Sequence, residues 1–181
     1  MTPQARKLTV AALTTADGVH DSPRSFAGPY FDGDAAARSL AELQSCEAML
    51  MGRTTYEYFV PAWSQATDPY ARRVNEMTKY VYSTTLAAAD WNNTTVVATD
   101  PVAAVTELKK RDGGDLMIYG YGRLARTLLE HGLVDVLKFS VFPVLAGVGA
   151  PLFRPGEGIP LRLESARTRP NGTVELTYTP E

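Results

Sequence analysis

Apolar and polar positions change period several times along this chain. Residues 7–14 are β-branched and apolar with partial alternation, which predicts a first strand. Ala16, Asp17 and Gly18 mark its end as a turn. Residues 19–33, broken by Pro23, Gly28 and Pro29, predict a long loop of the kind that serves as a lid. With Asp34 as N-cap, Ala36, Leu40, Leu43 and Glu47 recur on one helical face, so a helix is expected to about Cys46. Residues 48–51 are a short apolar run, read as a central buried strand that stops at Gly52. Asp68-Pro69 and Asp100-Pro101 each place an aspartate cap before a proline whose missing N–H costs a first helical turn nothing, and predict helices over 69–78 and 101–111. Residues 79–83 and 94–98 are strand candidates between them.

Leu116-Met-Ile-Tyr119 predicts a further buried strand. It breaks at Gly120 and Gly122 and runs into a helix with apolar positions at Leu124, Leu128 and Leu129, ended by Gly132 as a left-handed cap. Residues 134–145 alternate over much of their length and predict a long strand. Residues 161–168 and 173–179 flank Pro170-Asn171-Gly172 and predict a closing hairpin. Strands that alternate with helices to about residue 140, followed by a hairpin, imply an α/β fold: a mostly parallel twisted sheet flanked by helices, with an antiparallel C-terminal edge, in one domain over residues 1–181.

Composition narrows the function classes. A net charge of −2 gives no general attraction to nucleic acid or acidic membranes, so any cationic site must be local. The single cysteine, Cys46, excludes an internal disulfide and fits a reducing cytoplasm. His20 and His131 are far apart and form no i, i+4 pair, so no metal site is expected. The polar start leads into too short an apolar run for a signal or membrane segment, which gives the expectation of a cytoplasmic protein.

The chemistry concentrates where strands meet glycines. A residue without Cβ lets backbone N–H groups approach a ligand, and a helix N-terminus carries partial positive charge, so Gly120-Tyr121-Gly122-Arg123 before a helix reads as a nucleotide-phosphate site or, more plainly, as a tight turn. Gly52-Arg53-Thr54-Thr55 repeats the device.

Met49 to Glu57, Lys79 to Thr84 and Ile118 to Leu124 together resemble the three cofactor-binding stations of the dihydrofolate reductase fold. Gly132-Leu-Val-Asp-Val-Leu137, Pro143 to Phe153 and Pro170-Asn-Gly-Thr-Val174 resemble its other branch, the riboflavin-biosynthesis reductase domain and its stand-alone relatives. The resemblance implies NADPH as hydride donor. Under it, Gly52 admits the cofactor, Arg53 faces the adenosine 2′-phosphate, and Thr54 and Thr55 face the pyrophosphate. Ser83 and Thr84 line the adenosine side. Tyr119, Gly120, Tyr121, Gly122, Arg123 and Leu124 surround the pyrophosphate and nicotinamide ribose, Ala12 presents backbone to the carboxamide, and Asp17, Gly18 and Val19 form the lid.

The substrate half matches less well. Tyr121 stands where the dihydrofolate reductase pattern has glycine, so it must point away from the cofactor or pack over it. The helical carboxylate of that branch falls on Ala36, with Asp32 and Asp34 nearby as candidate proton donors or simply helix caps. The acidic Asp-Asp-Pro segment of the riboflavin branch is replaced by Glu57-Tyr-Phe-Val-Pro-Ala-Trp63, and no basic cluster for a ribose phosphate is evident. Tyr58 and Trp63 are candidates for stacking on a flat heterocycle, against a packing role, and His20 for touching substrate from the lid. Asp17 is equally a turn former, Arg53 a surface arginine, and His131 a cation at a helix C-terminus. The expected function is an NADPH-dependent reductase acting on a C=N or C=O bond of a small planar heterocycle, pterin- or folate-like or like a riboflavin precursor, with proton delivery through water. The rival is a non-catalytic nucleotide-binding or dimeric module on the same fold. A homodimer through residues 134–145 is expected.

Overall fold

The computed structural model describes residues 6–152 and 158–181; Phe153, the end of one family-like segment, lies outside them. The strands are β1 (Leu8–Thr15), β2 (Cys46–Gly52), β3 (Thr78–Tyr82), β4 (Thr94–Val97), β5 (Asp115–Tyr119), β6 (Val136–Phe142), β7 (Leu161–Thr168) and β8 (Val174–Pro180). The helices are α1 (Arg24–Ala27), α2 (Gly33–Gln44), α3 (Arg53–Trp63), α4 (Pro69–Glu76), α5 (Pro101–Lys110) and α6 (Arg123–Glu130). One eight-stranded sheet runs in the order β4-β3-β2-β5-β1-β6-β8-β7. Its neighbours are parallel from β4 to β6, and β6, β8 and β7 pair antiparallel, as the pattern of alternating elements and a final hairpin implied.

Both faces of the parallel part are covered, which is why its strands read as continuous apolar runs. On one face Val10, Leu50, Ile118 and Leu137 pack against Val105 and Leu108 of α5 and Ala125, Leu128 and Leu129 of α6. On the other, Met49, Met51, Val81 and Met117 pack against Leu43 of α2, Tyr56 and Phe59 of α3, and Val74 of α4. The connection from β2 to β3 therefore leaves the sheet on one face, and that from β5 to β6 on the opposite face. Since β2 and β5 are neighbours, the strand order reverses between them. A crevice opens at such a switch point beyond the carboxyl ends of the strands.

Several expectations need correction. The cap of α2 is Asp32, whose carboxylate accepts from Ala35 N–H at 2.8 Å, with Asp34 in the first turn. That helix ends at Gln44, and Cys46 is the first residue of β2, buried in the core. A full helix, α3, follows Gly52, with Pro61 in its last turn, where few later N–H groups depend on the displaced carbonyl. The lid region contains α1 and a 3-10 turn over Gly28–Tyr30. Strand β6 is shorter than its alternating pattern, and it lies between β1 and β8 with both edges hydrogen-bonded. It therefore has no free edge on which to pair with a second copy. Among the described residues no helix is long and apolar enough to cross a membrane.

Candidate functional site

The crevice is built by two glycines and two helix ends. Gly52 closes β2 and caps α3; Gly122 follows β5 and caps α6. Neither helix has a side-chain cap, whereas α2, α4 and α5 are each capped by an aspartate, Asp32, Asp68 and Asp100. The first N–H groups of α3 and α6 thus lack the intramolecular acceptor that the other long helices possess, and both open on the switch point. A Cβ placed on Gly52, Gly120 or Gly122 meets nothing within 4 Å, so the glycines border open space. Gly120 also has φ +90°, which its neighbours β5 and α6 demand and which an L side chain rarely adopts. Two unpaired helix N-termini beside open glycines fit a diphosphate.

Arg53 lies at the start of α3 and reaches across to the loop after β3. Its Nε donates to Glu57 Oε1 at 2.7 Å and its Nη1 to Thr85 Oγ1 at 3.0 Å. Ser83 accepts from the N–H groups of Thr85 and Leu86, which turns this loop back toward Arg53. The structure thus brings Arg53 and Ser83 together and adds Thr85, which sequence reasoning missed although it continues the Ser83-Thr84 hydroxyl run. Tyr56 ties α3 to the loop between β3 and β4, its hydroxyl accepting from Asp90 N–H at 3.0 Å. Thr54 is exposed and Thr55 half-buried in the first turn of α3; Arg123, in the first turn of α6, is exposed, with Leu124 half-buried behind it.

Tyr121 turns away from the crevice. It is 8% exposed and packs edge-on against Phe139, with ring centroids 6.2 Å apart, in the core beneath α6. Its backbone occupies the glycine position while its ring fills the interior. Tyr119 points to the opposite face, beside Phe59, and burial there pushes its hydroxyl well above the ordinary tyrosine range.

Strand β1 contributes an edge. Its register with β5 ends at Ala11, whose carbonyl accepts from Gly120 N–H, while Thr15 N–H donates to Val19 O of the lid. Backbone groups alternate between edges along a strand, so the residue facing the gap between β5 and the lid is Leu13, and Ala12 turns its backbone toward β6. The lid itself is clasped by the loop after β6. Asp17 accepts from Ala146 and Gly147 N–H at 3.1 and 2.7 Å and from the Thr15 hydroxyl at 2.5 Å. The Thr15 hydrogen bond first, then those of Gly147 and Ala146, lower its pKa to about 2. Gly18, at φ +82°, accepts from Leu152 N–H, Val19 bridges Pro151, and His20 N–H donates to Ala150 O.

The face of the sheet under α2, α3 and α4 is aromatic and ion-paired. Phe59 and Trp63 lie 4.1 Å apart between centroids, Trp63 meets Tyr70 edge-on, and Tyr58 borders Phe59. Trp63 is therefore a packing residue, whereas Tyr58 is exposed at the rim. Lys138 pairs with Glu42 at 2.8 Å, Arg38 with Glu175 at 3.2 Å, and Arg169 with the same Glu175. Arg24 of α1 stands 4.9 Å above the ring of Tyr58, a contact between distant segments that no local signal announced.

A family model described as the RibD C-terminal domain matches residues 6–174. The chain belongs to the RibD C-terminal domain family. The chain is 30% identical over 142 residues to the uncharacterized protein YyaP of Bacillus subtilis (strain 168), covering 75% of each. Among solved structures, a Shewanella sp. PV-4 protein named for riboflavin biosynthesis superposes with a TM-score of 0.74 at 18% identity, covering 98% of this chain and 99% of that one. The deaminase/5-amino-6-(5-phosphoribosylamino)uracil reductase of Thermotoga maritima superposes with a TM-score of 0.68 at 12% identity, covering 98% of this chain and 57% of that one. At such identities the likeness is one of fold, and this RibD-type domain spans little more than half of the Thermotoga chain.

Proposed function

We propose that this chain is an NADPH-dependent reductase that acts on a C=N or C=O bond of a small planar heterocycle. The observation that carries this reading is the pair of side-chain-uncapped helix N-termini, α3 and α6, beside open glycines on either side of the switch point. When bound, NADPH supplies the hydride. The α3 start, with Gly52, Thr54 and Thr55, and the α6 start, with Gly120, Gly122 and Arg123, would hold its diphosphate. Arg53, supported by Thr85 and Ser83, would hold the adenosine 2′-phosphate through its planar fork; the exposed pair with Glu57 is weak enough to yield. Leu13 would address the carboxamide with its backbone, the role the resemblance gave to Ala12.

The protein's part is to hold, align and dry the reactants. The Asp17 clasp keeps residues 15–19 over the end of β1, where solvent would otherwise reach the reacting bond. Asp32 is engaged as a helix cap and Asp34 is exposed, so we assign proton delivery to water. The membership of the RibD C-terminal domain family supports the reductase reading. The test is loss of reduced-nicotinamide absorbance with a panel of pyrimidines and pteridines. Oxidation above the no-substrate rate with at least one of them is expected; bound NADPH that is oxidised by none supports the non-catalytic rival.

A further inference from the structure

A second recess lies at the far end of the sheet from the crevice. Helix α3 starts at the carboxyl end of β2 and runs back along it, so its last turn lies toward the amino ends of β3 and β4. There Ser64 and Gln65, which follow α3, Asn75 of α4, and Asp90, Trp91 and Asn92 before β4 line a cavity of about 250 Å³. Gln65, Asp90 and Asn92 are exposed and Trp91 is buried, so the recess has a solid floor and an open mouth.

The floor is fixed by hydrogen bonds. Asn75 Oδ1 accepts from the indole N–H of Trp91 at 2.6 Å, and its Nδ2 donates to Trp63 O at 3.0 Å. Asn92 Nδ2 donates to Asn75 O at 3.0 Å. Among the described residues, the Ser64 hydroxyl, the Gln65 amide, the Asp90 carboxylate and Asn92 Oδ1 have no partner within the protein.

The electrostatics of the recess are one-sided. The C-terminal ends of α3 and α4 meet there, each with partial negative charge, and Asp90 adds a full one. No Lys, Arg or His lines it. The end of α4 is neutralised from within the chain, because the buried Lys79 ammonium donates to the carbonyls of Val74, Asn75 and Met77. The last turn of α3 carries no basic residue, and its end opens on the cavity.

We infer that this recess is a binding site for a small primary ammonium compound with a second polar end. An ammonium has three donors and no acceptor, which matches Asp90 and Asn92 Oδ1; Ser64 and Gln65 offer a hydroxyl and an amide to the other end. The volume lies below the range of about 300–1,000 Å³ that holds drug-sized ligands, so a molecule of a few carbons fits. A single carboxylate is too few for a divalent cation, which takes several oxygen ligands. Among the described residues no group of His, Cys, Asp and Glu side chains is suited to a metal ion. The site is separate from the crevice and does not depend on the reductase reading.

The test is titration of the intact, isotope-labelled protein at neutral pH and constant ionic strength, without NADPH. The probes are ethanolamine and ethylene glycol, which differ only in ammonium against hydroxyl. Resonances of the Trp91 indole N–H and the Asn75 and Asn92 side-chain amides report on the recess, and backbone N–H signals of Gly52, Gly120 and Gly122 report on the crevice. Saturable shifts are expected in the first set, with ethanolamine bound about 5-fold or more tighter than ethylene glycol. Asp90→Asn keeps the shape and removes the charge. Since this side chain holds nothing else in place, the variant should melt with wild type while its preference falls to about twofold or less. Equal affinity of wild type for the two probes, a preference that survives Asp90→Asn, shifts confined to the glycine signals, or no shift with either probe overturns the assignment.

Discussion

At the scale of single residues, Gly52 and Tyr121 make opposite demands although both lie in glycine-rich turns. Gly52 has φ −83° and ψ 169°, a conformation open to any residue, and a Cβ there meets nothing. Gly52→Val should therefore cost about 1 kcal/mol or less of stability, the scale of a poorer N-cap, while filling the space assigned to the diphosphate and removing NADPH binding. Tyr121 is the converse. Its ring belongs to the core beside Phe139, so Tyr121→Ala should cost about 3 kcal/mol in denaturant unfolding yet leave NADPH affinity within about twofold. An affinity loss at Tyr121 with no stability loss would reverse the two assignments. The sequence makes Tyr121 look like the anomaly in a cofactor loop because residue type alone does not say to which side of the backbone a side chain turns. The surrounding core decides that, and it is assembled from β6, far along the chain.

At the scale of elements, the end of α4 is held by a buried cation. Lys79, fully buried at the start of β3, donates to the carbonyls of Val74, Asn75 and Met77 at 2.8, 3.2 and 2.7 Å, and its ammonium lies 4.8 Å from the ring of Trp91. Removing it takes a donor from the carbonyls of Val74 and Met77, while Asn75 O keeps the side-chain amides of Asn92 and Asn93, so Lys79→Met should destabilise the fold by about 3 kcal/mol at pH 7. Burial pulls its pKa down from 10.5 to about 8. Between those values the unfolded chain binds more protons than the folded one, so this residue makes stability rise with pH from about 8 toward 10. The gap between wild type and Lys79→Met should widen over that window; a gap independent of pH would contradict it. The Asp17 clasp has the other sign. Its stabilising effect is present above 3.8 and is lost as pH falls through about 2. Asp17→Ala should accelerate amide exchange at Ala146 and Gly147 at neutral pH. The caps at Asp68 and Asp100, the glycine breaks and the terminal hairpin were legible because their signals are local. The extent of helix α3 was not, since Pro61 and four aromatics obscure its period, and neither Lys79 nor Arg24 announces partners that depend on the folded chain.

At the scale of the whole molecule, the strand order matters most. It sets β2, β5 and β1 side by side with β3 flanking, so that segments separated by as much as a hundred residues deliver Gly52, Ser83, Gly120 and Leu13 to one edge. The alternation of elements was legible in the sequence pattern, whereas the strand order was not, since it is set by pairing between distant segments. The expected homodimer has lost its strand-pairing route through β6, although Leu145 and Val148 remain 78% and 83% exposed in the following loop. The central claim is that the edge at the switch point is a site for a 2′-phosphorylated dinucleotide. Calorimetric titration of wild type and Arg53→Gln with NADPH and with NADH tests it most directly. Saturable binding of NADPH, about 10-fold or more tighter than NADH in wild type and no longer so in Arg53→Gln, is the predicted result. No binding of either dinucleotide, or equal affinity for both in wild type, would contradict it.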